Sequence, residues 1–346
     1  MTRADAAPQR DSVACALGLG LLTASEFRVF ERLLFQIPTD YGFTLESVSG
    51  VLSGRPVLKS WAHRVLAPFA VERLGALVGD RLLALELFFA AGLLSANALL
   101  FVLLRRKGLP HAASFLGVAL FGLVRLLLVF KLEYPWDDVD VLIFIGFGYW
   151  ASQARSLVPF LPVVALGVFN HETILYVPAW YLISAFAGEA AAPAAETSSS
   201  QSGNGVSRRN LLAVGAFTAL AVVGAVGALR AHFYIGRPDL PNQSFVDPTP
   251  VIANQTNLAH NLRELFIRDW LHVRFPIAAA FFAAVGTLGY LAAGGIRRVA
   301  ALWSLGILAS ILCFGYVNET RHYLPLVAFW FAYTWGGHAK ENRHHG

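Results

Sequence analysis

The residues able to do chemistry in this chain are gathered in a few short polar clusters set between long apolar runs. They are SEFRVFER (25–32), TDYGF (39–43), KSWAHR (59–64), KLEYPWDDVD (131–140), NHE (170–172) and NETRH (318–322). Glu26 and Asp40 are carboxylates of the kind that takes a proton from a hydroxyl, provided a substrate comes within hydrogen-bond reach. His63, Arg64, His171, Arg321 and His322 suit an anion, because a guanidinium offers a planar fork of donors that matches phosphate and an imidazole adds one more. Asp138 and Asp140 form a D-x-D just after a proline. Carboxylate oxygens of this type bind Mg²⁺ or Mn²⁺, and such an ion would bridge a phosphate leaving group. Acids at a helix start are also favoured by its dipole, by about 0.3 to 1 kcal/mol each, with no function at all. Both readings of the D-x-D stand on the sequence. The same holds for Glu172 and Glu319, which either support a bound substrate or lock two segments through an ion pair with Arg321. Glu86 and Arg125, each inside an apolar run, either pair with one another or line the floor of a cavity.

The elements that must position these clusters are membrane helices. Of the 346 residues, 56% are hydrophobic and 14% charged, against roughly a quarter charged in soluble domains, which excludes a soluble globular chain. The net charge of +5 resides in short basic clusters between apolar runs, the pattern of membrane loops, so a nucleic-acid partner is excluded as well. Uncharged or nearly uncharged runs cover 13–24, 82–104, 111–130, 141–154, 156–169, 173–187, 211–229, 275–294, 299–317 and 323–337. These predict an all-α polytopic protein of about ten spans. A run of 14 residues covers only ~21 Å of a ~30 Å hydrocarbon core, so 141–188 holds either two spans or three. Segments 26–35, 58–74 and 262–271 place apolar residues at helical spacing opposite charges and predict amphipathic helices in the membrane interface. The first apolar run, preceded by Arg3 and Arg10, reads as a retained signal anchor. An Ala/Ser/Gly-rich stretch at 188–210 predicts a disordered cytoplasmic loop. It separates an N-terminal membrane half (1–187, with a long first external segment at 25–81) from a C-terminal half (211–346, with an external loop at 230–274). Cys15 and Cys313 lie far apart in apolar surroundings and suggest neither a disulfide nor a metal site.

The placement of charge sets an orientation. With the N-terminus in the cytoplasm and ten alternating spans, Arg105, Arg106, Lys107, Arg155, Arg208, Arg209, Arg297 and Arg298 fall in short connections on the inner face, against Lys131 and Arg321 outside, which follows the positive-inside rule, while the long segments 25–81 and 230–274 oppose it. Both termini are then cytoplasmic, in a plasma or inner membrane. All six polar clusters fall on the outer face, and so do the N-x-S/T sequences at Asn242, Asn254 and Asn318. Six polar clusters converging at the ends of apolar helices predict an extracytoplasmic pocket.

The elements PVLKSWAHRVLAPF, NHETILYVPAW and NETRHYLPLVAFW, with the long first external segment, together resemble bacterial membrane glycosyltransferases of the GT-C type. The resemblance covers most of the chain through short motifs. It implies an enzyme that takes a sugar from a polyprenyl-phosphate carrier and transfers it, outside the cytoplasm, to a lipid, glycan or protein. It also implies a carboxylate base in the first external loop, for which Asp40 and Glu26 are the matching positions. The lipid-linked donor and membrane lipids are then its partners. Two other classes compete. A transporter or flippase of a lipid-linked or small anionic solute predicts charges along both halves of a path, and a non-catalytic scaffold subunit predicts that the outer charges are consumed in mutual ion pairs.

Overall fold

The computed structural model describes residues 7–35, 38–53, 63–129, 134–153, 156–186, 208–234, 258–263, 296–314 and 320–334. Among the described residues every regular element is a helix. They run α1 (Ala7–Phe35), α2 (Pro38–Leu52), α3 (Leu66–Val78), α4 (Arg81–Arg106), α5 (His111–Val129), α6 (Pro135–Ser152), α7 (Leu161–Val168), α8 (Tyr176–Phe186), α9 (Arg208–Tyr234), α10 (Leu258–Arg263), α11 (Ile296–Phe314) and α12 (Leu324–Thr334). Single 3-10 turns at Val158–Phe160, Glu172–Leu175 and Thr320–Tyr323 lead into α7, α8 and α12.

Four stretches are long and apolar enough to cross a bilayer: Val13–Arg32, Arg81–Arg106, His111–Leu128 and Arg209–Leu229. The chain is thus an integral membrane protein by helix length and composition. Helices α7, α8 and α12, as described, are shorter than the spans expected from their apolar runs. The run 156–169 becomes a 3-10 turn and an eight-residue helix, and the run 173–187 a second turn and an eleven-residue helix. They form a hairpin whose turn is Phe169–His171. The run 275–294 and most of loop 188–210 lie outside the described residues.

The N-terminal amphipathic segment differs from expectation. Residues 26–35 do not form a separate interfacial helix but continue α1 without a break. The reason is that Arg28, Glu31 and Arg32 share one exposed face, where Arg28 donates to Glu31 at 2.8 Å, while Glu26 and Phe30 are buried on the other. Of the other two segments, α3 covers the end of 58–74, and α10 stops at Arg263.

Helix α6 is the centre of the packing, lying against α12 along its length and against α3 and α4. It approaches α12 closely because Gly148 has no side chain. A Cβ there would come within 3.0 Å of the Phe329 carbonyl carbon and 3.1 Å of Ala332 Cβ. Around this seam Phe147, Trp180, Trp303 and Phe329 pack as one aromatic cluster, with Trp303 and Phe329 centroids 4.3 Å apart and Trp180 and Phe329 5.2 Å. The indoles keep their polar ends satisfied: Trp303 Nε1 donates to the Tyr176 carbonyl at 2.6 Å and Trp330 Nε1 to Ser304 Oγ at 2.9 Å. At the far end of α12, Lys107 Nζ donates to the carbonyls of Ala332 and Tyr333 at 2.5 and 2.7 Å, placing a cation where the helix dipole is negative. Burial lowers its pKa to about 8.

Gly148→Ala tests the seam, because the clash is with backbone and α6 and α12 must separate. It is expected to destabilise by about 1–3 kcal/mol, read as a lowered Tm in detergent. Gly20→Ala, where no atom lies within 4 Å of the new Cβ, is expected to leave Tm unchanged or slightly raised. Equal Tm values for the two variants would contradict the packing described.

Candidate functional site

The site is built on the first turn of α6. Pro135 opens the helix, where a missing N–H costs nothing, and Asp137 turns back to accept the Tyr134 amide at 3.0 Å. At about 100° per residue, Asp137 and Asp140 leave one face of the helix, while Asp138 and Asp140 stand about 200° apart. Each acid therefore meets a different neighbour. Asp138 forms a fully buried ion pair with Arg125 of α5, with side chains 1% and 2% exposed. It occupies the space over Gly92, where a Cβ would lie 2.7 Å from its Cγ. Asp137 accepts from Arg321 Nη1 at 3.1 Å. Asp140 accepts from Asn170 Nδ2 at 2.8 Å and from Thr173 Oγ1 at 2.6 Å, which ties the hairpin turn to α6. Asn170 Nδ2 also donates to the Trp136 carbonyl at 2.8 Å.

Above this turn the aromatic residues of YPWD form a stack. The Tyr134 and Trp136 rings lie 4.7 Å apart at 11°. Arg321 sits over the outer face of Tyr134 at 4.5 Å and Arg64 over Trp136 at 5.3 Å. All four side chains are buried, so the stack fixes two guanidiniums that are distant in sequence, each by a cation–π contact. Arg64 is held further by Glu172: Arg64 Nη2 and His63 Nε2 each stand 3.0 Å from its carboxylate. The Leu66 amide donates to the Phe169 carbonyl at 2.9 Å, joining the same two segments through backbone. Burial would push the Glu172 carboxyl up, but Arg64 foremost, with His171 and His63, holds it well below the usual carboxylate range. Burial, then Arg64, holds the His171 imidazole well below the ordinary histidine value.

Asp137, Asp140, His171, Thr173, Arg321 and His322 line a narrow cavity of about 10 Å³, room for about one water molecule. Of the residues expected from sequence, Asp140, His171, Arg321 and His322 are thus brought together, and His63, Arg64 and Glu172 form the adjoining cluster. Three placements differ from expectation. Arg125 turns to Asp138 rather than to Glu86, which is half-exposed on α4. Arg321 is paired by Asp137, not by Glu172. Asp138 and Asp140 point to opposite sides of α6, and among the described residues no group of three His, Cys, Asp or Glu is arranged around one ion position. Glu26 lies away from the pocket, buried between α1, α4 and α5: it accepts from Asn97 Nδ2 at 2.6 Å and rests over Gly122. Asp40 falls in the first turn of α2 with its side chain outside the described residues, as is the whole of Glu319.

From sequence Asp137 is expected only as an acid at the helix start, and Thr173 and the Tyr134–Trp136 pair are not among the expected site residues. Asp137 carried a signal, since an acid three residues after the residue that precedes a helix commonly turns back onto that residue's amide. The stack carried none, because two rings flanking a proline do not announce which cations will cover them. No family model, curated protein or solved structure matches this chain.

Glu172→Gln removes the carboxylate that neutralises Arg64, whose side chain is only 4% exposed. The expected loss is about 3 kcal/mol, the cost of leaving a buried charge unpaired. The folded pKa of Glu172 is depressed, so its contribution is complete above the unfolded carboxylate value and is lost as pH falls through the folded one. The Tm gap between wild type and variant is therefore expected to be full at pH 7 and to close under acid conditions. A gap independent of pH would contradict the pairing.

Proposed function

We propose that this chain is a membrane glycosyltransferase, with a GT-C-like arrangement of about ten spans, that moves a sugar from a polyprenyl-phosphate carrier to an acceptor on the extracytoplasmic face. The observation that carries this reading is the pocket itself, which sets Arg321 and two histidines opposite two carboxylates at the ends of apolar helices. That mixture suits a sugar phosphate. Carboxylates accept hydrogen bonds from sugar hydroxyls, and a guanidinium and imidazoles donate to the phosphate oxygens on which negative charge grows as the glycosidic bond breaks. A lipid tail would then lie along the apolar helices, which explains why such a site is embedded in membrane spans.

Lipid, glycan or protein acceptors all present the hydroxyl that the reaction needs. The test is transfer from radiolabelled polyprenyl-phosphate sugars in proteoliposomes holding the purified chain, with several sugars and a parallel EDTA arm that reports any need for Mg²⁺ or Mn²⁺. Arg321→Gln is expected to lower turnover by about 10²-fold or more, as loss of one charge-stabilising donor does; Arg321→Lys keeps the charge and is expected to lose less. Labelled carrier that crosses the bilayer intact, with no sugar transferred, would contradict the proposal and favour a transporter.

A further inference from the structure

The buried acids of α6 are each met by a cation or by two donors, and one acid elsewhere in the membrane is not. Asp138 has Arg125, Asp137 has Arg321 and the Tyr134 amide, and Asp140 has Asn170 and Thr173. Glu26 lies inside the apolar span Val13–Arg32, about 9 Å of helical rise inward from Arg32, and is only 5% exposed. Its Oε2 accepts from Asn97 Nδ2 at 2.6 Å, and its Oε1 has no hydrogen-bond partner among the described residues. That oxygen fills the place a side chain would take at Gly122 of α5, so it rests against mid-helix backbone whose amides are already used within the helix.

A carboxylate in that position would carry a full charge against one neutral donor. Burying an unpaired charge costs so much that such a group holds a proton instead. The charge that acts on Glu26 is Arg125 of α5, and Arg125 is committed to the equally buried Asp138. Helix α4 turns Asn97 toward Glu26, and Asn97 Nδ2 also donates to Thr23 Oγ1 at 3.1 Å; neither Asn97 nor Thr23 carries a charge. The neutral acid suits these neighbours. The Asn97 amide can be turned end for end without moving a heavy atom. Its Oδ1 then accepts from the Glu26 Oε2 hydroxyl and from the Thr23 hydroxyl across the same 2.6 and 3.1 Å, and 2.6 Å lies within the ordinary O–H···O range.

We propose that Glu26 is a proton-binding site inside the membrane, a carboxylic acid whose proton leaves Arg125 to Asp138. Releasing that proton would set a second carboxylate beside one guanidinium. The two acids, on α1 and α6, would then compete for Arg125. The proton on Glu26 therefore secures the contact that holds the start of α6 against α5. This site is independent of sugar transfer and of the cavity at α6, because Glu26 faces α4 and α5.

Infrared spectra of the full chain in proteoliposomes at pH 7 read the proton directly, because the C=O stretch of a carboxylic acid stands apart from the carboxylate and amide bands. The difference between wild type and Glu26→Gln is expected to show an acid band lost and the carboxylate bands unchanged. Glu86→Gln, at the half-exposed acid of α4, is expected to leave that band in place. Glutamine is neutral and of nearly the same size, so Glu26→Gln is also expected to keep the wild-type Tm. Loss of carboxylate absorption in Glu26→Gln, or a fall in its Tm as large as that of Asp138→Asn, would overturn the proposal. Should Glu26→Gln fail to fold, the Glu86→Gln chain decides the matter when its glutamate carries carbon-13 in the side-chain carboxyl. An acid band moved by the label is expected, and spectra in which the label moves carboxylate bands alone would overturn the site.

Discussion

Three carboxylates on the first two turns of α6 are buried, and none shares its principal partner with another. Taking one carboxylate out of water costs several kcal/mol unless a cation or a set of donors replaces the water. The helix dipole offsets only part of that cost. Asp138 is met by Arg125 of α5, Asp137 by Arg321 at the start of α12, and Asp140 by Asn170 and Thr173 at the hairpin turn. The angular spacing of a helix turns Asp138 away from the other two, while Asp137 and Asp140 share a face one turn apart and meet partners from different segments there. Two turns of helix thus fix three other segments, and any shift of α6 along α12 would break all three sets of contacts together. The close contact at Gly148 prevents that shift.

The site inherits its order from this turn. Tyr134 and Trp136 lie between Arg321 and Arg64, so the same five residues that start α6 also set the positions of both guanidiniums. Asp140 and Thr173 orient the imidazole of His171, and Glu172 neutralises Arg64 from the same hairpin turn. Groups drawn from three separate segments face one small cavity on helical supports.

Much of the membrane architecture was legible because it depends on composition over about twenty residues. The runs that became α4, α5 and α9 could be bounded within a few residues from apolarity and flanking charge. Helix α1 was cut too short, because the charges after Ala24 looked like an exit from the membrane, whereas Arg28 and Glu31 merely mark its exposed face. The chemistry was legible by residue type and not by partnership. Asp140, His171, Arg321 and His322 could be named from their clusters, but nothing local indicates that Arg125 meets Asp138 over Gly92 or that Arg64 and Arg321 cover the two ends of one aromatic stack. The D-x-D looked like a pair of ligands as a string of letters, while the helix that contains it turns the two acids apart.

The central claim is that each acid of this turn is bound to its own partner, and a set of double-mutant cycles measures it most directly. Unfolding free energies would be taken for Arg125→Met, Arg321→Met, Asp138→Asn and Asp137→Asn, for the two paired doubles, and for the cross double of Arg125→Met with Asp137→Asn. The account predicts coupling of about 0.5–3 kcal/mol within Arg125–Asp138 and within Arg321–Asp137, and additivity for the cross pair. Additive losses in the paired doubles, or equal coupling across all three, would contradict it.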